Sequence, residues 1–150
     1  MKAILPHILS AAIFAACASR AQAGEKAPLH ERQLIGDYRY ETKSDSVYAV
    51  YIDFSVWREG DKIVIGFEGA HPHAAGAAPE GGGTGQIDSE GVLRFEYEDS
   101  FSNKGTGTFQ RVKNGYKLFI QIDGLVEERC AMYYGGDFIL KRVSSVPRHG

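Results

Sequence analysis

Between Val92 and Ile122, apolar and polar positions alternate in runs that are separated by turn residues. Leu93, Phe95 and Tyr97 fall on one face of an extended segment, and Arg94, Glu96 and Glu98 fall on the other. Tyr116, Leu118, Ile120 and Ile122 repeat the pattern opposite Lys117 and Gln121. Asn114-Gly115 precedes that second run, and this is the residue pair that best tolerates positive φ at both central positions of a two-residue hairpin turn. The stretch is predicted to be a β-meander. Upstream, Val47 to Trp57 places Tyr48, Val50, Ile52, Phe54 and Val56 on one face and Ala49, Tyr51, Asp53, Ser55 and Trp57 on the other. Glu59-Gly60 then turns the chain into Lys62 to Phe67, where Ile63, Ile65 and Phe67 share a face. A first strand opens at Leu34 and runs to Tyr40. Gly105 to Phe109 is a strand whose glycines predict a bend or bulge, and Phe138 to Val143 closes the series.

The alternation fails over Glu68 to Thr84. This segment is rich in Gly, Ala and Pro, has no period and is longer than most loops in compact domains, so it reads as a loop. With so little apolar material in it, removal of Ala74 to Pro79 is expected to leave stability unchanged. Gly85 to Ile87 resumes as a short strand. Leu125 to Cys130 carries neither pattern, and a short helical turn is one option there.

About eight short strands with hairpin spacing and no amphipathic helix point to an all-β sandwich or barrel. Consecutive hairpins favour up-and-down closure, which removes the sheet edges that would otherwise pair with other chains. The expected fold is a single antiparallel up-and-down β-barrel over residues 34–143. Gly36-Asp37-Tyr38, at the start of the first strand, resembles the Gly-x-Trp opening of the calycin group, which includes the lipocalins and avidins. The resemblance covers Leu34 to Val143. It implies a lipocalin-like eight-stranded meander and carries no catalytic residue with it. Tyr38 stands where that family has Trp, and the disulfides common in secreted lipocalins have no counterpart here. Small exported barrels that inhibit lysozyme are similar in size and compartment, but their inhibitory loop motif is not found in this sequence.

The first 23 residues read as a signal peptide. Lys2 supplies a positive start, Ile4 to Cys17 is mainly apolar and too short to span a bilayer, and Ala21-Gln22-Ala23 matches a small-x-small cleavage site. Phe14-Ala15-Ala16-Cys17 also resembles a bacterial lipobox, in which Cys17 would be lipidated after cleavage before it. Both routes lead to export, to the periplasm, the exterior or the outer membrane as a lipoprotein. Both also remove Cys17 from the fold and leave Cys130 as a lone thiol, read as a buried small hydrophobe. Residues 24–33 are expected to form a flexible linker, and residues 144–150 a frayed tail.

Charge alters the functional picture only by exclusion. The net charge is −2 at pH 7, and Lys2 and Arg20 leave with the leader. Charges of both signs are interspersed, without the basic stripe of a nucleic-acid binder. His71-Pro72-His73, with Glu68 upstream, is the nearest approach to a metal constellation, and the solvated-loop reading outweighs it. Gly81-Gly82-Gly83 has neither the Lys nor the helix of a phosphate-cradling loop, and no Gly-x-Ser-x-Gly elbow occurs. Glu96 and Glu98 lie about 7 Å apart by strand geometry but read as a solvated outer face. An enzyme is not expected, nor is a cofactor, a nucleic-acid partner or a transmembrane segment. Tyr48, Phe54, Phe67, Phe95, Tyr97, Phe109 and Tyr116 are candidates for the barrel interior. An eight-stranded barrel is either filled by such side chains or holds one small ligand. On the other face Tyr51, Trp57 and Phe119 are candidates for a protein interface. The function expected is therefore binding without catalysis. The occupant is a small apolar ligand held by Tyr48, Phe54, Phe67, Phe95, Tyr97 and Tyr116, or a partner protein met through the loops. The alternative is an envelope structural or inhibitor-like protein with a fully packed interior.

Overall fold

Each alternating run becomes a strand: β1 (Gly36–Glu41), β2 (Tyr51–Glu59), β3 (Lys62–Ala70), β4 (Glu80–Ile87), β5 (Leu93–Asp99), β6 (Lys104–Val112), β7 (Gly115–Gly124) and β8 (Asp137–Ser144). The computed structural model describes residues 29–42, 49–71 and 77–148. Sequential antiparallel pairing and a final β8–β1 contact close all eight strands into one up-and-down barrel. This architecture is consistent with the calycin resemblance. A short helix, α1 (Leu29–Leu34), lies against the lower end, where the β2–β3, β4–β5 and β6–β7 hairpins turn. The remaining connections form the upper end. The longest described one carries a 3-10 helix at Glu128–Tyr133.

Strand phase follows the sequence pattern. Ile52, Phe54, Val56, Ile65, Leu93, Phe95, Phe109, Leu118 and Ile120 all point inward and are buried. The outward positions of the same strands include Arg39, Asp53, Glu68, Glu96, Glu98 and Lys104, a wall built to face water. A lipid-facing barrel wall carries an apolar band instead. Among the described residues no helix is long and apolar enough to cross a membrane.

Four expectations need correction. The segment Glu68 to Thr84 is strand at both ends: β3 continues to Ala70 and β4 begins at Glu80, which leaves residues 71–79 as the connection. The inward positions of β4 are Gly81, Gly83, Gly85 and, at its end, Ile87, so most of its inner face shows no side chain for a pattern to detect. Within that connection Ala77 is buried and Pro79 accepts a backbone hydrogen bond from Gly69 at 2.8 Å. The linker over 24–33 overlaps α1, which is held because Leu34 is buried and Glu31 pairs with Arg58 at 2.5 Å. The tail does not fray directly after β8: the Arg148 backbone N–H donates to Asp37 at 3.4 Å. Finally, the β6–β7 turn residues are Lys113 and Asn114, with Val112 paired to Gly115. Gly115 has φ 148° and, in place of a turn role, lets β7 approach β8, since a Cβ there would lie 2.5 Å from the Leu140 carbonyl oxygen. Asn114 has no positive φ.

Candidate functional site

The predicted ligand-contacting aromatics are brought together, and they touch one another. Phe54 packs on Phe95 and Phe109 at centroid distances of 5.7 and 4.8 Å. Phe109 in turn meets Tyr38 at 4.7 Å and stacks on Tyr116 at 5.6 Å. Higher up, Phe67 meets Tyr97 edge-on at 5.4 Å. Tyr48 lies outside the described residues. Glycines on neighbouring strands make room for these rings: a Cβ on Gly107 would lie 2.5 Å from Phe95 Cε2, and one on Gly81 would lie 2.5 Å from Phe67 Cε1. Large rings on one strand thus occupy the space left over bare backbone on the next.

Both ends of the aromatic column are stopped. At the lower end the Arg142 guanidinium lies over the rings of Tyr38 and Tyr116, 5.6 and 5.8 Å from their centroids, and donates to the Ile35 carbonyl. The Tyr38 hydroxyl donates to the Leu34 carbonyl at 2.7 Å. Burial pushes this phenol well above its usual range, partly opposed by Arg142. At the upper end, the 3-10 helix inserts Cys130 and Tyr133, both essentially inaccessible. The Tyr133 ring lies over Gly69, where a Cβ would come within 2.8 Å of it. Tyr134 stacks on Tyr97 at 5.7 Å.

A polar clasp holds this plug down. The carboxylate of Asp99, on the β5–β6 turn, accepts from the backbone N–H of Phe101 and Asn103, from Asn103 Nδ2 at 2.8 Å and from the Tyr134 hydroxyl. Asn103 Oδ1 accepts from the N–H groups of Val126 and Glu127 at 2.7 and 3.1 Å. Burial, then the Asp99 carboxylate, raise the Tyr134 phenol far above its ordinary value. Burial likewise pushes the Cys130 thiol up, which disfavours its thiolate. At the mouth Arg129 holds the Glu127 carboxyl down to about 2.

Of the metal candidates, His71 follows the end of β3, His73 lies outside the described residues, and Glu68 points outward from the wall. Among the described residues, no three His, Cys, Asp or Glu side chains could hold a metal ion. Cys17, the lipidation candidate, also lies outside the described residues. Glu96 and Glu98 project outward and are exposed, as expected.

Among the described residues, concavities lie on the outer wall and, beside α1, at the lower end. The most polar of them is a trough across β1 to β4 of about 410 Å³. Strand register sets three rows of outward positions side by side. The middle row is Asp37, Ser55, Gly66 and Gly82, so much of the floor is bare backbone. One bank is Arg39, Asp53, Glu68 and Glu80, and the other is Trp57, Val64 and Thr84. Trp57 leans over the floor, its Cζ3 lying 3.3 Å from where a Gly66 Cβ would be.

No family model, curated protein or solved structure matches this chain. Its function has to be read from its own geometry. The sequence reading gave Cys130 as buried and allowed a helical turn over Leu125 to Cys130, but missed that Tyr133 and Tyr134 complete a plug, because they belong to no strand period. It also missed the trough, whose residues come from four strands. One signal was available: Trp57 and Asp53 share an outward face that was mixed, neither fully polar nor fully apolar.

Proposed function

We propose that this chain is an exported, non-catalytic calycin-like barrel that binds a partner protein through its outer surface. The observation carrying this reading is the filled interior: rings from β1, β2, β3, β5, β6 and β7 are in mutual contact, with Arg142 stopping one end and Tyr133 the other. A barrel of this strand number has room for side chains or for one small ligand, and here side chains take it. The water-facing wall and the signal-like leader support work outside the cytoplasm, after cleavage behind Ala23 or lipidation at Cys17.

Native mass spectrometry of protein taken from its own host's envelope tests both halves. The expected result is a barrel without a small apolar adduct that co-isolates with a second polypeptide, and the chain's intact mass separates cleavage from lipidation. An apolar molecule released on denaturation would overturn the surface reading and return the site to Phe54, Phe67, Phe95, Tyr97 and Tyr116.

A further inference from the structure

We propose that the outer trough across β1 to β4 is a binding site for a guanidinium group, supplied by an arginine side chain of the partner. The proposal rests on the surface-binding reading only for the source of the arginine. The chemistry of the trough stands by itself.

Four carboxylates line the trough, those of Asp37, Asp53, Glu68 and Glu80, with one lining cation, Arg148. Asp53 is satisfied from outside by a two-pronged pair with Arg39 at 2.6 and 2.7 Å. Glu68 and Glu80 have no such pair, though the Arg39 charge also acts on Glu68. They stand directly opposite each other across the β3–β4 pair, and among the described residues neither side chain has an ion-pair partner. Like charges facing across a strand pair are unfavourable. A cation between them would reverse the sign of that interaction.

Asp37 supplies an independent sign that something is missing. It is 5% exposed, and its Oδ1 is held by the Ser55 hydroxyl at 2.8 Å. Oδ1 also accepts from the Arg148 backbone N–H at 3.4 Å, and the buried Oδ2 is ion-paired with Arg148 Nε at 3.7 Å but has no hydrogen-bond donor. A buried carboxylate oxygen without a donor is costly. This one lines the trough.

The shape selects among cations. The floor at Gly66 and Gly82 carries no side chain, so a flat group can lie against backbone with Trp57 as a wall. A guanidinium is planar, stacks on an aromatic face and presents a rigid fork of N–H donors to carboxylates. An ammonium matches the charge but has neither the flat face nor the fork.

Trp57 is the chain's single tryptophan, so intrinsic indole fluorescence reads this trough. The mature protein is titrated at low ionic strength, where exposed charges are least screened, with N-acetyl-argininamide, N-acetyl-lysinamide and uncharged N-acetyl-citrullinamide. The expected result is a saturable emission change with the arginine compound, a weaker one with the lysine compound and none with the citrulline compound. The Glu68→Gln/Glu80→Gln variant should bind the arginine compound about tenfold more weakly, as loss of charge-assisted bonds requires. Its melting temperature should be unchanged or higher, because the facing charges are gone. An absent response overturns the proposal, as does an equal response to the citrulline compound or full affinity in the double variant. If the trough fails while the barrel still captures a protein from the envelope, the site falls and the surface-binding reading stands. If the arginine compound binds but no partner co-isolates, the site stands and the partner reading falls.

Discussion

Phe95 offers the sharpest test of the packed interior. Its ring is 3% exposed, contacts Phe54, and occupies the space over Gly107. Truncation to alanine removes a buried aromatic and leaves a cavity, for an expected loss of about 3–5 kcal/mol. Gly107→Ala attacks the same contact from the other side. The new Cβ would collide with the Phe95 ring and would lie 2.8 Å from the Phe119 carbonyl oxygen. Overpacking of this kind costs roughly 1–3 kcal/mol, and the backbone clash puts this case at the upper end. In the Phe95→Ala background the ring is absent and only the carbonyl clash remains. The methyl group then also fills part of the cavity, so the double variant should be more stable than the sum of the two losses predicts by about 1–2 kcal/mol. Urea titrations of the four proteins at equal m-value supply the cycle. Additivity within about 0.5 kcal/mol would mean that ring and glycine do not share one space, and the account of the interior would fail. A second readout follows. The Phe95→Ala cavity should take up benzene, seen as a rise in melting temperature that the parent protein does not show.

The clasp makes its own predictions. Tyr134→Phe removes a donor to the buried Asp99 carboxylate and should cost about 1.5–3 kcal/mol in denaturant titration, while Tyr134 hydroxyl-independent stacking on Tyr97 is kept; a change under about 0.5 kcal/mol would mean the clasp contributes nothing. Cys130 should resist a thiol reagent in the native protein and react faster in Tyr134→Phe, and equal rates would show that the plug opens by another route. Burial raises the phenols of Tyr38, Tyr97 and Tyr134. Their folded values lie above the unfolded value near 10, so the stability they contribute is complete below pH 10 and declines as pH rises beyond it. An ultraviolet titration should therefore show these tyrosines ionising only together with alkaline unfolding, and a smooth titration of all eight near pH 10 in a folded protein would contradict their burial. Arg58→Met leaves Glu31 buried without its partner and should destabilise more than Arg58→Met combined with Glu31→Leu; the reverse order would show that Glu31 does not need the pair.

Strand phase was legible because inward positions on β2, β3, β5 and β7 are large and apolar while their neighbours are not. Leu93, Phe95 and Tyr97 against Arg94, Glu96 and Glu98 is enough to orient β5 by itself. Only the end of β4, Gly85 to Ile87, was read as a strand, and the rest was illegible for the complementary reason. The room its glycines leave is filled by rings on its neighbours, so its inner face is written in the sequence of β3 and β5. The end of β6 misled differently. Asn-Gly is the strongest two-residue hairpin signal, yet here the turn falls one residue earlier, and Gly115 serves the approach of β7 to β8. The short α1 was hidden because six residues show too little periodicity to announce a helix. Its anchors, Arg58 for Glu31 and the barrel end for Leu34, are far away in sequence.

The trough was hidden by more than distance along the chain. An inward residue declares itself by hydrophobicity, because burial restricts what can stand there. An outward residue on a barrel is restricted only by its lateral neighbours, and these are set by register. Glu68 in isolation is an ordinary solvated carboxylate, and so is Glu80. They become a feature only when β3 and β4 pair with these two residues opposite, with glycine two positions further along each strand. A one-residue slip of β4 would turn Glu80 inward and place a glycine opposite Glu68. The same slip would drive Thr84 toward the aromatic column, so the packing of the interior rings also fixes the register that builds the outer trough.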